Sequence, residues 1–429
     1  MKKICVIGLG YIGLPTAAVL ADSGHSVVGV DTNTHAINEI NHGRIHISEP
    51  FLEEKVAAAV KEGRLRAVSV PEPADAFIIA VPTPFTSEKT ADLSFVQSAA
   101  ESLVPYVRKG SLVILESTVP PRTTLDVLLP VLQKSGLKVG EELLVAFCPE
   151  RVLPGRILEE LIHNSRVVGG VDERSAIAAK ELYSSFVQGE VFTTDATTAE
   201  MTKLMENTFR DVNIALANEF ALIAEKTGVN VWDAIHFANN HPRVNILQPG
   251  PGVGGHCIAV DPWFIVEQAG NLAKLIRSAR EINDGMPHHV VSTIRELVAG
   301  IVSPKVALLG LTYKPNVDDC RESPALEIAK YLQDTDCQVV AYDPLAKGCK
   351  TAPLSEALHR ADLLVLLVNH DEFRFINPAK VAPLVRRKVV FDTRNALDRE
   401  AWESAGFSVV MLGERQKPEI SLCRDAINL

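Results

Sequence analysis

At 429 residues the chain is too long for one ordinary hydrophobic core, so two or three domains are expected. Its composition, 47% hydrophobic and 22% charged, is that of a globular protein, and a formal net charge of -10 argues against a general binder of nucleic acid or of membrane surfaces. An anionic ligand would therefore need a local basic pocket. The seven cysteines, Cys5, Cys148, Cys257, Cys320, Cys337, Cys349 and Cys423, show no CxxC spacing, and their odd number fits a reducing, cytoplasmic compartment.

The chain opens on a run that imitates a signal peptide or a membrane span. Lys2 and Lys3 precede an uncharged, mostly apolar stretch from Ile4 to Ala21. Gly8, Gly10, Gly13 and Pro15 interrupt that stretch at its centre. The better reading is a strand (Ile4–Ile7), a glycine turn and an alanine-rich helix. Gly8-Leu9-Gly10-Tyr11-Ile12-Gly13 thus follows a strand and opens a helix, and Asp31 ends the next strand. Glycines there let a backbone approach a pyrophosphate at a helix N-terminus. A carboxylate at Asp31 can accept from both ribose hydroxyls and would repel a 2′-phosphate, which favours NAD over NADP.

Short apolar runs continue in chain order at Ser26–Val30, Ala76–Val81, Ser111–Leu115 and Leu143–Phe147. Runs of this kind between helical patterns indicate a parallel sheet covered on both faces. Thr83 follows the third run and Thr118 the fourth. Strand ends are where open α/β sheets bind ligands, so both are cofactor candidates, although each taken alone is more often a turn residue capping a helix.

From Thr197 the pattern becomes helical. Thr197 and Glu200 form a T-x-x-E capping box. Met201, Leu204, Met205, Phe209, Val212, Leu216 and Phe220 then recur at three and four, and Lys226-Thr227-Gly228 reads as the end. A second helix is expected over Val231–Ala238 and a third from Asp261-Pro262. After Val302 the strand scheme returns at Lys305–Leu309, Gln338–Tyr342, Asp362–Val368 and Lys388–Phe391. Two echoes link the halves: Val27–Asn33 (VVGVDTN) with Val339–Leu345 (VVAYDPL), and Val6–Gly13 with Leu308–Pro315. The fold class is therefore α/β: two Rossmann-like, doubly wound parallel-sheet domains (1–194 and 301–429) joined by a central helical domain (195–300).

The most informative stretch is Gly250-Pro-Gly-Val-Gly-Gly255-His256-Cys257, with four glycines, Gly254 among them, in six residues. Such a loop lets something approach the backbone closely. Cys257 ends it just before a helix, whose N-terminus would stabilise a thiolate. That position suits a nucleophile; the alternative is an inert buried cysteine, the reading adopted for the other six. Lys203, Asn207 and Arg210 share a helix face apart from the apolar stripe. Asp261, before a proline, can cap a helix, take part in chemistry, or both.

These residues resemble the nucleotide-sugar 6-dehydrogenase family, which includes UDP-glucose 6-dehydrogenase, over nearly the whole chain. The likeness rests on GLGYIGLP, VPTP, ESTVPP, CPER, the K-x-x-x-N helix at Lys203 and Asn207, GGHC at Cys257 and YKPNVDDCRESP from Tyr313 to Pro324. GGHCIAVDPWF resembles the N-acetylhexosamine branch, where UDP-glucose enzymes carry a GGSCFPKD-like segment. CPERVLPG keeps Glu150 but has Pro154 where UDP-glucose enzymes have a second glutamate, so no role for that carboxylate carries over.

The resemblance implies a four-electron oxidation at C6 of a UDP-N-acetylhexosamine, UDP-N-acetylmannosamine first and UDP-N-acetylglucosamine next, with two NAD and no metal. It implies that Lys203, or a water held by Asp261 and Asn207, handles the proton and oxyanion. Cys257 would form a thiohemiacetal and then a thioester, hydrolysed near Glu150. It implies cofactor contacts from Gly8, Gly10, Tyr11, Ile12, Gly13, Asp31, Thr83, Thr118 and Arg321, the last reaching a neighbouring subunit. For the UDP-sugar, held between the two α/β domains, it implies Arg151, Val152, Lys203, Asn207, Arg210, His241, Arg243, Gly254, Tyr313 and Lys314. A homodimer or higher oligomer and a surface-polysaccharide role follow by the same analogy. Two other readings stay open: a β-hydroxyacid dehydrogenase, which needs no thiol, and an NAD-binding redox sensor without turnover.

Overall fold

The computed structural model describes residues 1–414 apart from residues 87 and 154, so Pro154 and Cys423 lie outside the described residues. Contacts divide the chain into two compact units. One comprises Met1–Glu206 with Trp263–Gly270, and the other Asn207–Pro262 with the residues from Asn271 on.

The first unit is built on eight strands: β1 (Lys3–Ile7), β2 (Ser26–Val30), β3 (Leu65–Val68), β4 (Ala76–Ile79), β5 (Leu112–Leu115), β6 (Leu144–Phe147), β7 (Arg166–Gly170) and β8 (Val191–Asp195). Their order is β3-β2-β1-β4-β5-β6-β7-β8, so the chain reverses direction across the sheet between β1 and β4. All pairs are parallel except β6 with β7, which meet antiparallel over Ala146↔Gly170 and Phe147↔Gly169. The expected parallel sheet is thus interrupted once. Alternate residues of each strand feed different cores. Ile4, Val6, Ile78 and Ile114 pack on one face, and Cys5, Ile7, Phe77 and Val113 on the other. With both faces covered, the interiors of β1, β2, β4, β5 and β6 have no place for polar residues, which is why these strands read as apolar runs, whereas β3, β7 and β8 carry charged or exposed residues. Each fully buried Ile or Phe contributes about 1.5–3 kcal/mol.

The second sheet has five parallel strands, β9 (Lys305–Leu309), β10 (Gln338–Tyr342), β11 (Leu363–Leu366), β12 (Val389–Asp392) and β13 (Ser408–Met411), in the order β10-β9-β11-β12-β13. Again the faces alternate: Ala307, Leu309 and Leu364 enter one core, and Val306, Leu308 and Val365 the other.

Six helices matter below: α1 (Gly13–Asp22), α2 (Ala196–Thr227), α3 (Val231–Ala238), α4 (Asp261–Ala269), α5 (Lys274–Leu297) and α6 (Pro324–Gln333). Ala217, Ala221 and Ala224 of α2 pack with Val231, Trp232 and Ile235 of α3 on one face of the second sheet, and Met286, Val290 and Ile294 of α5 on the other. The helix α2 ends before Gly228, which takes φ +81° as a left-handed terminator must. Its expected capping box does not form. Asp195 accepts from Thr198 N–H at 2.9 Å, while the Glu200 carboxylate turns inward to Thr124 Oγ1 (2.6 Å) and the Arg122 N–H (2.5 Å). The tertiary partners outcompete the local cap because Glu200 is fully buried and needs donors there.

The apolar stripe of α2 is only partly core. Leu204 is buried, but Met205, Phe209, Leu216, Phe220 and Ile223 are 38–70% exposed and share one helical face. No helix among the described residues is long and apolar enough to cross a membrane.

Candidate active site

The nucleotide loop leaves β1 at Ile7. A Cβ on Gly8 (φ +89°) would sit 2.4 Å from the Ala80 carbonyl oxygen, and one on Gly13 would sit 1.8 Å from the Gly8 carbonyl oxygen. Those two glycines are demanded by the chain itself. Gly10 is different: nothing lies within 4 Å of where its Cβ would be, so the glycine leaves room for something from outside. Tyr11 and Ile12, half-buried, lead into α1. Asp31 accepts from the Leu9 and Asn33 N–H groups, each at 2.8 Å, which holds its carboxylate beside the loop. Thr83 Oγ1 donates to the Thr118 carbonyl oxygen at 2.6 Å, joining the segments that follow β4 and β5. The loop therefore lies at the carboxyl ends of the strands where the sheet order reverses, the ordinary ligand position of such sheets.

The second unit repeats this geometry. Leu311 N–H donates to Asp343 Oδ2 at 2.6 Å, as Leu9 does to Asp31, and Gly310 N–H donates to the Tyr342 carbonyl oxygen as Gly8 does to Val30. Buried His370 completes the corner, contacting Asp343 Oδ2 and Thr312 Oγ1, each at 3.1 Å, and accepting from Asn316 N–H at 2.9 Å. This corner holds Asp343 well below the usual carboxylate range: burial opposes ionisation, but His370 and the Leu311 and Leu345 amides outweigh it.

The thiol lies in the same unit. The glycine loop accommodates protein rather than open space. A Cβ at Gly254 would lie 2.3 Å from the Glu322 carbonyl oxygen, one at Gly255 (φ +86°) 2.8 Å from the Tyr313 ring, and one at Gly250 2.4 Å from Arg394 Nη1. Cys257, half-buried, ends the loop. Its carbonyl accepts from Val260 and Asp261 N–H groups, forming a tight turn ahead of α4. His256 Nδ1 lies 2.9 Å from Cys257 Sγ. Asp261, 2% exposed, accepts from Asn207 Nδ2 at 2.5 Å. Lys203 lies one turn before Asn207 on α2, and exposed Arg210 follows one turn after. Lys314, with its Nζ 5.6 Å from the Tyr313 ring centroid, is held below the usual lysine range, first by burial and then by Arg210.

Models of three consecutive domains match: UDP-glucose/GDP-mannose dehydrogenase family NAD binding domain over residues 2–187, central domain over 197–285 and UDP binding domain over 307–399. The chain belongs to the UDP-glucose/GDP-mannose dehydrogenase family. A UDP-N-acetyl-D-mannosamine dehydrogenase of Methanocaldococcus jannaschii is 52% identical over 421 residues, covering 96% of this chain and 97% of that one. An NDP-N-acetyl-D-galactosaminuronic acid dehydrogenase of Ralstonia solanacearum is 50% identical over 409 residues, covering 92% and 96%. The solved UDP-D-ManNAc dehydrogenase of Pyrococcus horikoshii superposes with a TM-score of 0.91 at 43% identity, covering 96% of this chain and 99% of that one. The protein is thus an NAD-dependent UDP-sugar dehydrogenase, an oxidoreductase. The loop fits its cofactor: Gly10 leaves space for a pyrophosphate, and Asp31 presents a fixed carboxylate at the end of β2.

Within this family member the remaining candidates are placed as follows. Glu150 is buried, with Oε1 accepting from Arg151 N–H at 2.6 Å and Oε2 from Arg166 Nη2 at 3.2 Å. The Arg151 guanidinium is engaged by Glu206 (2.5 Å) and the Ser165 carbonyl oxygen (3.0 Å), and Val152 beside it is half-buried. Arg321 forks onto Asp319 at 2.7–3.1 Å. His241 and Arg243 are exposed, with His241 Nδ1 accepting from Arg243 N–H at 3.3 Å.

Three further features of the molecule leave little signal in the local sequence. Arg394, beneath Gly250, follows β12 and donates to the Leu367 carbonyl oxygen at 2.9 Å; a lone arginine after a strand carries little signal. His46 has a buried Nδ1 without a partner, near Asp31, and burial lowers its pKa. The third is a buried polar cluster. Glu116 accepts from the Tyr183 hydroxyl (2.6 Å) and Thr16 Oγ1 (3.5 Å) and lies 3.8 Å from Arg166. Burial pushes the Glu116 carboxyl up to about 7, with Arg166 pulling it down and Glu150 pushing it up. Burial likewise pushes the Cys148 thiol up to about 12, the mark of an inert cysteine.

Proposed function

We propose that the enzyme oxidises the C6 alcohol of UDP-N-acetyl-D-mannosamine to the carboxylate, with Cys257 holding the sugar between two oxidations. The observation that carries this reading is the turn at Cys257–Asp261, which sets a thiol one turn away from a buried carboxylate tethered to Asn207. The choice of sugar is supported by relatives of about half identity that bear its name, spanning 96% of this chain.

Bound NAD supplies the hydride acceptor for each oxidation. In our reading Lys203, on the helix face it shares with Asn207, takes the alcohol proton and steadies the developing oxyanion. The Asn207–Asp261 pair orients a water or the hydroxyl. Cys257 sulfur attacks the aldehyde, and its thiohemiacetal becomes a thioester and then the uronate. Glu150 is less suited to activating that water, because both of its oxygens are already engaged. Holding the Arg151 segment in place is the part its geometry supports.

We further propose that 1–194 handles the cofactor, 195–300 the chemistry and self-association, and 301–429 the UDP moiety, with Tyr313, Lys314 and Arg394 beside the glycine loop as diphosphate and uridine contacts. Arg210, His241, Arg243, Gly254, Arg151 and Val152 complete the substrate set, and Arg321 is assigned to a neighbouring subunit's cofactor. The exposed stripe Met205, Phe209, Leu216, Phe220 and Ile223 supports a homodimer. A cytoplasmic setting and a role in surface-polysaccharide precursors belong to the same proposal.

The deciding experiment counts NADH per limiting sugar, with UDP-N-acetylmannosamine, UDP-N-acetylglucosamine, UDP-N-acetylgalactosamine and UDP-glucose compared under excess NAD. About two NADH per UDP-N-acetylmannosamine, dropping to at most one in Cys257→Ala, is expected. The Ralstonia relative makes the galactosamine comparison necessary. Preferred turnover on any other sugar overturns the substrate, and full stoichiometry in Cys257→Ala overturns the thiol mechanism.

A further inference from the structure

Side chains of consecutive residues ordinarily diverge, by alternation in a strand or by about 100° in a helix. His256 and Cys257 do not. Gly255 takes φ +86° and the chain turns back at Cys257, whose carbonyl accepts from both Val260 and Asp261. The result is an imidazole Nδ1 2.9 Å from the sulfur. The turn is rigidly specified, because Gly254 and Gly255 are pinned against Glu322 and Tyr313 with no space for a side chain.

The imidazole's surroundings decide its protonation. Loss of hydration lowers the His256 pKa, Arg321 and Lys314 lower it further, and Asp319 opposes them. Arg210 acts on Lys314 in the same cluster. The ring keeps an exposed edge, yet its neighbours are mostly cationic. It is therefore neutral at neutral pH and able to receive a proton.

Resting on the reading of Cys257 as nucleophile, we propose that His256 is a catalytic residue that relays the sulfur's proton. As the S–C6 bond forms, the S–H bond breaks and Nδ1 takes the proton. The carbonyl π pair moves to oxygen, which takes the proton back from the imidazolium, so the addition is neutral overall. In thioester hydrolysis water adds to the carbonyl and the C–S bond breaks. One water proton reaches the departing sulfur through the imidazole, and the other leaves to solvent with formation of the carboxylate.

The test is the rate of Cys257 alkylation by iodoacetamide, followed on its own peptide by mass spectrometry from about pH 5 to 9. The full-length chain is compared with His256→Ala and His256→Asn, without sugar. Wild type should alkylate with its inflection at the titration of the imidazole, which lies below the ordinary histidine value of about 6.5, because the neutral ring takes the thiol proton as sulfur attacks. Both variants should react at least about tenfold more slowly near neutrality, with a single thiol inflection. Their uronate formation should fall about 10²-fold in kcat with KM unchanged. Asparagine can keep a polar contact with sulfur but cannot carry the proton, so a merely structural histidine would be replaced by it. Wild-type rates in either variant, or rescue by asparagine, overturn the proposal. If both variants fail to bind NAD, the wild-type profile alone decides: an unshifted thiol inflection overturns it. Because alkylation is read without substrate, an error in the choice of sugar leaves this result standing, and a failure here leaves the NADH stoichiometry standing.

Discussion

Asn207 Nδ2 donates to Asp261 Oδ2 at 2.5 Å, joining the long helix α2 to the first turn of α4. Asp261 is 2% exposed, so its carboxylate depends on the donors that surround it. Asn207→Ala removes one of them. We expect a loss of about 1–3 kcal/mol in stability and a fall in kcat of about 10²-fold, with NAD affinity unchanged. Thermal melts, steady-state rates and calorimetry with NAD check this; undiminished kcat would show that the pair is only structural.

The two kinds of glycine in the nucleotide loop should separate on mutation. Gly10→Ala meets nothing within 4 Å. The variant should melt within about 2 °C of wild type and yet bind NAD at least about tenfold more weakly. Gly13→Ala drives a Cβ into the Gly8 carbonyl oxygen and should melt more than about 5 °C lower. Equal NAD affinity in Gly10→Ala would move the pyrophosphate elsewhere.

Glu116 makes stability depend on pH in a direction opposite to that of most carboxylates. Its ordinary value is 4.5 and its folded value about 7, so the folded state binds the proton more tightly. Its contribution is fully present below 4.5 and is lost as pH rises through about 7. Glu116→Gln, which stays neutral, should flatten the fall in unfolding free energy across that window. Denaturant titrations at several pH values provide the measurement, and an unchanged slope would place the carboxyl's proton elsewhere in the cluster.

Phe209 is 70% exposed on a helix face otherwise rich in apolar side chains. On the proposal that this face forms a homodimer, Phe209→Glu should give a folded monomer where the unsubstituted chain sediments as a dimer, as read by sedimentation equilibrium and circular dichroism. A variant with the mass of wild type excludes that face as the interface.

Much of the architecture can be read directly from the chain. Strands buried on both faces tolerate few polar residues, so β1, β2, β4, β5, β6, β9, β11 and β12 stand out as apolar runs; the edge strand β10 is only half-buried and is legible from its Val339–Tyr342 composition instead, and Val231–Ala238 is helical as expected. The missed strands are those that alternate or carry charge: Leu65–Val68 exposes Arg66, Arg166–Gly170 begins on an arginine, and Val191–Asp195 exposes Phe192. Ser408–Met411, the edge strand β13, is short and lay beyond the last run recognised.

Local order alone determined the glycine turn, the Asp31 corner and its echo at Asp343, and the thiol at the end of a glycine loop, because each is encoded within a few consecutive residues. Tertiary structure decided the rest. It turned Glu200 from a helix cap into a buried acceptor, and it filled the space beside Gly250, Gly254 and Gly255 with Arg394, Glu322 and Tyr313. It also gathered Thr16, Glu116, Glu150, Arg166 and Tyr183 into one buried cluster. Partners so distant along the chain leave no periodicity or spacing to read. Burial then fixes their energetics, since a charge removed from water must find its counter-charge wherever the fold brings one.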